Sequence, residues 1–305
     1  MTSKKVNQSK ILITGSGGML GSAFAEVLRI DYPESTIIPL DHKALDVTNK
    51  EAVMSLASTN VDIIIHCAAK SNVDYCERNP EDCRNTQVEG TSNIISLASE
   101  CGAKIMYPQT FLIFSGGDEL ITSETEPNPL SEYGRCKLDA ERRLCESDVD
   151  SLIIRKAGLY GGDSKDKNFV GFFTKKVSEL LNEGISEYAV GNRVWQPTYT
   201  MDIARNTLIL LDQGNSGIWS MACEGKASFY ELAKACISIL GLSERFHVIP
   251  AESQQIEVAD VAKRPPAAIL SNDKLRAAGL CTQRHWETAL SEYLLRPWFQ
   301  SLFSH

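Results

Sequence analysis

Lys10-Ile11-Leu12-Ile13-Thr14-Gly15-Ser16-Gly17-Gly18-Met19-Leu20-Gly21 is the stretch that decides the fold. A short run rich in aliphatic and β-branched residues ends in glycines, which reads as a buried strand entering a tight turn. Gly15, Gly18 and Gly21 have G-x-x-G-x-x-G spacing. The first permits the turn, the second lets backbone approach a pyrophosphate, and the third lets helix and strand pack closely. Leu20, Ala23, Phe24, Val27 and Leu28 then fall on one helical face. The start of that helix offers N–H groups and a positive dipole end to phosphate. Asp41 closes the next strand, where a carboxylate suits ribose hydroxyls. The expected dinucleotide site is therefore Gly15, Ser16, Gly17, Gly18, Met19, Leu20, Gly21 and Asp41. Asp41 favours NAD, whereas its neighbours His42 and Lys43 suit the 2′-phosphate of NADP; a solvated loop end accounts for that pair equally well. NADP and NAD both stay open, with NADPH slightly preferred.

Outward from this turn, strands are expected at 36–40, 61–66, 104–107 and 151–155, with helices over 49–58, 80–100 and 131–147. Strands apolar on both faces, alternating with helices, predict an α/β fold with a doubly wound parallel Rossmann-type sheet. The regularity fades after about 160. Helices follow at 168–182 and 228–240, with short strands within 187–197 and 245–250, and Arg264-Pro265-Pro266 forms a turn. The expected division is a dinucleotide-binding domain over 10–158 with a return segment at about 198–222. A smaller C-terminal substrate-binding lobe is expected over 159–197 and 223–305.

Composition excludes several classes. With 43% hydrophobic and 23% charged residues among 305, the chain is neither disordered nor fibrous. The 31 Lys and Arg against 39 Asp and Glu leave a net charge of −8, with no compact basic run beyond Lys4-Lys5. Nucleic acid is not an expected partner, because phosphate neutralisation needs clustered cations; a small anionic ligand stays compatible. The nine cysteines form no CxxC pair, which reads as reduced thiols in a cytoplasmic protein. The five histidines lack metal-ligand spacing, so no metal is expected. Met1–Lys10 is polar and does not look like a signal peptide. No apolar run of ~18 residues exists, so no membrane span is expected.

A second constellation is Tyr133-Gly134-Arg135-Cys136-Lys137. Tyr and Lys at i, i+4 share a helix face. An ammonium near a phenol stabilises phenolate and lowers its pKa, making Tyr133 a usable proton donor near neutral pH. Thr110 stands at the end of the fourth strand. Strand C-terminal ends face the ligand crevice in an open parallel sheet, so Thr110 can reach the same substrate oxygen as Tyr133.

The Gly turn, Thr110 and the Tyr133–Lys137 pair resemble the extended short-chain dehydrogenase/reductase superfamily, and within it the dTDP-4-dehydrorhamnose reductase family. The likeness runs from about residue 10 to 295. Leu45-Asp46-Val47-Thr48, His66-Cys67-Ala68-Ala69, Val88-Glu89-Gly90-Thr91 and Pro129-Leu130-Ser131-Glu132-Tyr133-Gly134 support it. Pro197-Thr198-Tyr199-Thr200-Met201-Asp202-Ile203-Ala204 and Arg264-Pro265 are more family-specific. The resemblance implies reduction by NAD(P)H of the 4-keto group of a nucleotide-linked 6-deoxysugar. Tyr133 would protonate the forming alkoxide, Lys137 would hold the nicotinamide ribose, and Thr110 would orient the carbonyl. Asp46 and Val47 would lie beside the adenine, and Cys67, Ala68, Ala69 and Lys70 along the cofactor. Arg264 would face the diphosphate; its alternative is a surface Arg in a Pro-rich loop.

This chain departs from the family pattern at three places. The family's S-T-D-Y-V-F is Gln109-Thr110-Phe111-Leu112-Ile113-Phe114 here, so Phe111 replaces an Asp. Its R-T-S-W-V-Y-G is Arg155-Lys156-Ala157-Gly158-Leu159-Tyr160-Gly161, so Gly158 replaces a Trp. Gln87 stands for the usual Asn. Phe111 and Gly158 are the altered sugar-facing positions, and Trp195 either restores a stacking surface or packs in the core. The implied partner is a nucleotide sugar, and a homodimer is open. A nucleotide-sugar epimerase or dehydratase is the nearby alternative. So is a non-catalytic, NADP-binding regulatory subunit of the methionine adenosyltransferase beta type. The intact Thr110–Tyr133–Lys137 set favours an enzyme.

Overall fold

The computed structural model describes residues 5–117, 119–251 and 261–303. The apolar runs become β1 (Lys10–Thr14), β2 (Thr36–Leu40), β3 (Ile63–His66), β4 (Lys104–Thr110) and β5 (Ser151–Lys156). With Gly217–Met221 they form a six-stranded sheet in the order β2-β1-β3-β4-β5 and then Gly217–Met221, every pair parallel. Consecutive residues of β1 explain why both faces are covered. Ile11 and Ile13 join Phe24 and Val27 of α1 (Met19–Asp31) and Leu208 and Leu211 of the Thr200–Asp212 helix. Leu12, pointing the other way, joins Val47, Val53, Ile94 and Leu97.

The chain leaves β1 toward β2 on one side, and the later strands build out from β3 on the other. The strand order therefore reverses between β1 and β3, and a crevice opens there at the strand C-terminal ends, where ligands bind in such sheets.

Three elements differ most from their sequence-based bounds. β4 continues past Tyr107 to Thr110, because Gln109 and Thr110 stay in register with Arg155 and Lys156 and the buried Gln109 amide finds partners. The helix expected over 49–58 is Lys50–Met54 followed by a 3-10 turn, Ser55–Thr59, closed by Asn60 in the left-handed region. The helix expected over 80–100 is Pro80–Arg84, a π turn at Asn85–Glu89, and Gly90–Cys101. Such widened turns often mark functional sites.

Beyond β5 the described residues form three two-stranded sheets and helices that include Phe169–Asn182, Phe229–Ile239 and Trp286–Leu294. Their apolar faces, including Phe173, Leu232 and Leu290, merge with the cluster under β1, so the C-terminal part shares the sheet's core. All nine cysteines are free. Among the described residues no helix is long and apolar enough to cross a membrane.

Candidate functional site

The crevice starts at the Gly turn. Gly15 has φ +64°, a left-handed conformation glycine adopts without strain. A Cβ there would stand 2.7 Å from the Ala68 nitrogen and 2.8 Å from the Cys67 carbonyl carbon. The turn after β1 thus lies directly on the segment after β3. At Gly21 a Cβ would come 2.4 Å from the Gly15 oxygen, so α1 can start against the turn only with glycine there. Gly18 is the N-cap of α1; it supplies no side chain to the free N–H groups, and no acid lies in the first turn. An uncapped N-terminus of a 13-residue helix is built to receive an anion. The pyrophosphate of a dinucleotide fits this cradle.

Asp41 lines a cleft of about 410 Å³ with Ser16, Arg29 and Lys165. Its Oδ1 accepts the N–H groups of Lys43 and Ala44, each at 3.0 Å, which fixes the turn after β2. His42 and Lys43, which follow Asp41, are exposed. Arg29 and Lys165 were not singled out from sequence, since nothing local marks two separated surface cations as neighbours of Asp41. Asp46 accepts from the N–H and hydroxyl of Thr48, which hold its carboxyl below the usual range. Val47 is buried against Gly90, where a Cβ would approach to 2.8 Å.

The segment after β3 is clamped from beneath. His66 Nδ1 bonds Thr14 Oγ1 at 2.8 Å and its Nε2 meets Thr91 Oγ1 at 3.2 Å. Burial drives this imidazole down to about 3, so it is neutral. The Ala68 N–H donates to Thr14 Oγ1, and Gln87, in the π turn, bonds both the N–H and the carbonyl of Lys70. Ala69, between them, is exposed. Burial pushes the Cys67 thiol up to about 12, so it carries no charge. The Lys70 side chain turns to Asp82 at 3.0 Å.

Three elements bring Thr110, Tyr133 and Lys137 to the end of β4. Ser131 caps the Glu132–Glu146 helix through the Gly134 N–H, and Glu77 accepts the Glu132 N–H at 2.8 Å. At Gly134 a Cβ would stand 2.3 Å from the Leu112 oxygen, so the helix lies on the 3-10 turn Phe111–Ile113 that follows Thr110. Lys137 Nζ donates to the Pro108 carbonyl at 2.9 Å and lies 3.8 Å from the Tyr107 ring centroid. Thr110 is buried; its Oγ1 accepts the Leu112 N–H at 3.2 Å. No acceptor for its own proton occurs among the described residues.

Gln109 couples these parts, accepting the Thr110 N–H at 2.9 Å while its amide donates to the Lys137 carbonyl and to Glu141. Glu141 in turn meets Arg155 of β5 at 2.6 Å, both side chains about 95% buried. Gln109, Gly134 and the Glu141–Arg155 pair are supports that sequence reading missed. Their partners lie on other elements.

The electrostatics correct one expectation. Tyr133 is raised, not lowered: burial dominates, with Cys76 and Cys83 adding to it. Lys137 is held well below its usual value by burial and by Lys156. Its ammonium is committed to Pro108 and Tyr107. The shared helix face is real, but depth in the protein sets the sign of both shifts.

Phe111 is half-buried and packs between two apolar clusters, one around Tyr133 and Leu112 and one around Ala268 and Leu270. At Gly158 a Cβ would fall 1.6 Å from Trp195 Nε1, so the Trp195 indole fills the space a side chain at 158 would take. Its edge meets Phe229, which stacks on Phe169 at 4.4 Å. Trp195 therefore packs and also presents a partly exposed surface beside the crevice. Arg264 Nη1 pairs with Asp74 at 3.1 Å. Despite burial, Arg264 and the Ala262 N–H keep the Asp74 carboxyl below its usual range.

The chain matches the RmlD substrate binding domain family model over residues 9–297. It is 30% identical over 291 residues to a dTDP-4-dehydrorhamnose reductase of Mycolicibacterium smegmatis, covering 94% of this chain and 85% of that protein. A dTDP-4-dehydrorhamnose reductase from Clostridium acetobutylicum superimposes with a TM-score of 0.84 at 32% identity, covering 93% of this chain and 98% of that one. The Bacillus anthracis reductase, solved in complex with NADP, gives 0.83 at 27% identity, over 95% of this chain and 99% of that one.

Proposed function

The chain belongs to the RmlD substrate binding domain family, and we propose that it is an NAD(P)H-dependent reductase of dTDP-4-dehydrorhamnose, forming dTDP-L-rhamnose in the cytoplasm. The convergence of Thr110, Tyr133 and Lys137 at the end of β4, beside the Gly15–Gly21 cradle, carries this reading.

When bound, the cofactor supplies the hydride. The chain's residues do the rest. The α1 N-terminus and the Gly turn hold the pyrophosphate, and Asp41 faces the adenosine ribose. Arg29 and Lys165 suit a 2′-phosphate. The Thr110 hydroxyl donates to the keto oxygen, and Tyr133, which keeps its proton because burial raises it, delivers that proton to the oxygen as charge develops. Lys137, anchored on Pro108, presents its remaining N–H groups to the nicotinamide ribose. Trp195, filling the place of the residue at 158, offers the sugar or base a stacking face.

NADPH oxidation in the presence of dTDP-4-dehydrorhamnose and other nucleotide-linked 4-keto-6-deoxysugars tests the reading. Turnover is expected with at least one. Cofactor binding with no turnover on any of them would leave a binding protein and end the reductase assignment. Trp195→Ala is expected to raise KM for the sugar nucleotide roughly three- to tenfold with the cofactor Kd unchanged. An unaltered KM removes Trp195 from the sugar site.

A further inference from the structure

Lys156 is the last residue of β5, paired in register with Thr110. Its side chain is half-buried. No hydrogen bond or ion pair reaches its ammonium among the described residues. The groups that interact with it electrostatically are the Cys67 thiol, at the end of β3, and the Lys137 ammonium, from the Glu132–Glu146 helix. Cys67 is protonated and His66 is neutral, so neither offsets the charge. The carboxylate that interacts with Lys137 is Glu141, which is engaged by Arg155 and Gln109. Lys156, in register with Thr110, and Lys137, bonded to Pro108 of the same strand, thus both lie at the strand end that carries Thr110, and no carboxylate pairs with Lys156 among the described residues. Burial without a partner is costly for an ammonium, and a strand end tolerates threonine or an aliphatic residue at no such cost. Burial also brings Lys156 down to about 8, so it is mostly charged at neutral pH and neutral above pH 9.

The place of that charge has a consequence for the cofactor reading above, on which it rests. A reduced nicotinamide ring is uncharged, and an oxidised one carries a positive charge. Cations at the ring's end of the crevice leave the first untouched and repel the second. We propose that Lys156 is a charge-selective residue that makes the crevice hold NADPH and expel NADP+, speeding release of the spent cofactor.

The test is binding, not turnover. Kd values for NADPH and NADP+ are measured by fluorescence and calorimetry on the whole chain between pH 6.5 and 9.5. Taking their ratio cancels groups that both cofactors feel alike, such as the 2′-phosphate. In the parent chain NADP+ is expected to bind at least about tenfold more weakly than NADPH at pH 7, and the gap should close as Lys156 loses its proton. Lys156→Met should show a narrowed gap without a pH step, through tighter NADP+ binding with NADPH unchanged. Lys156→Arg should keep the gap open to pH 9.5, because guanidinium does not titrate there. The same ratio in parent and Lys156→Met overturns the proposal. So does a pH step that persists in Lys156→Met, which would belong to Lys137. Failure of both cofactors to bind the parent chain would instead overturn the cofactor reading.

Discussion

Tyr133→Phe is expected to lower kcat by about 10²–10⁴-fold while NADPH binds as tightly as to the parent chain. The substitution removes one oxygen from a ring packed among Cys76, Cys83, Val88, Leu112 and Cys136, so the ring stays in place and only the proton donor is lost. The Tyr133 hydroxyl makes no hydrogen bond to the described protein, so nothing structural depends on it. Because burial holds the phenol above 10.0, its proton is present throughout the neutral range, and an alkaline limb of the rate caused by Tyr133 lies above pH 10. Steady-state kinetics with a parallel cofactor titration check this. A kcat within tenfold of the parent removes Tyr133 from proton transfer.

Glu141→Ala is expected to destabilise the fold by about 3–5 kcal/mol, because it strands the Arg155 guanidinium in the interior. The Glu141 carboxylate takes the Arg155 guanidinium through both oxygens and also accepts from Gln109, so its loss opens the whole clamp under Thr110 and Lys137. Urea unfolding measures the cost. Replacing both partners, Glu141→Leu with Arg155→Met, should recover most of it, since a buried pair can often be exchanged for apolar residues of similar volume. The double variant should still lose kcat, because Gln109 then lacks the acceptor that orients it toward the Lys137 carbonyl. A cost below about 1 kcal/mol for Glu141→Ala would mean that the pair is solvated.

How much was legible follows from how far each signal travels along the chain. The first five strands of the sheet were readable from apolar residues at consecutive positions, as at Ile11, Leu12 and Ile13, whereas Gly217–Met221 was read only as part of a return segment at about 198–222. β4 read short at Tyr107 because Gln109 looks like a strand end; only Glu141 and the Lys137 carbonyl make it a strand interior. The 80–100 stretch read as one helix because periodicity does not reveal a π turn. Arg264 read either as a diphosphate-facing residue or as a surface Arg; its pairing with Asp74, on the helix that also carries Cys76 and Glu77, comes from a segment far away in sequence.

By itself the sequence determined the glycine turn, the strand–helix alternation and the Tyr133–Lys137 helix face, because each is encoded within one or two turns of chain. The tertiary structure alone decided that Gly15 rests on Cys67–Ala68, that Gly134 rests on Leu112, and that Trp195 fills the space at Gly158. It also decided the charge state of the site: burial raises Tyr133 and lowers Lys137 and Lys156, and Lys156 has no hydrogen-bond or ion-pair partner among the described residues. Contacts between distant segments, and the loss of water around an ionisable group, exist only once the sheet has closed over them. No local spacing can specify them.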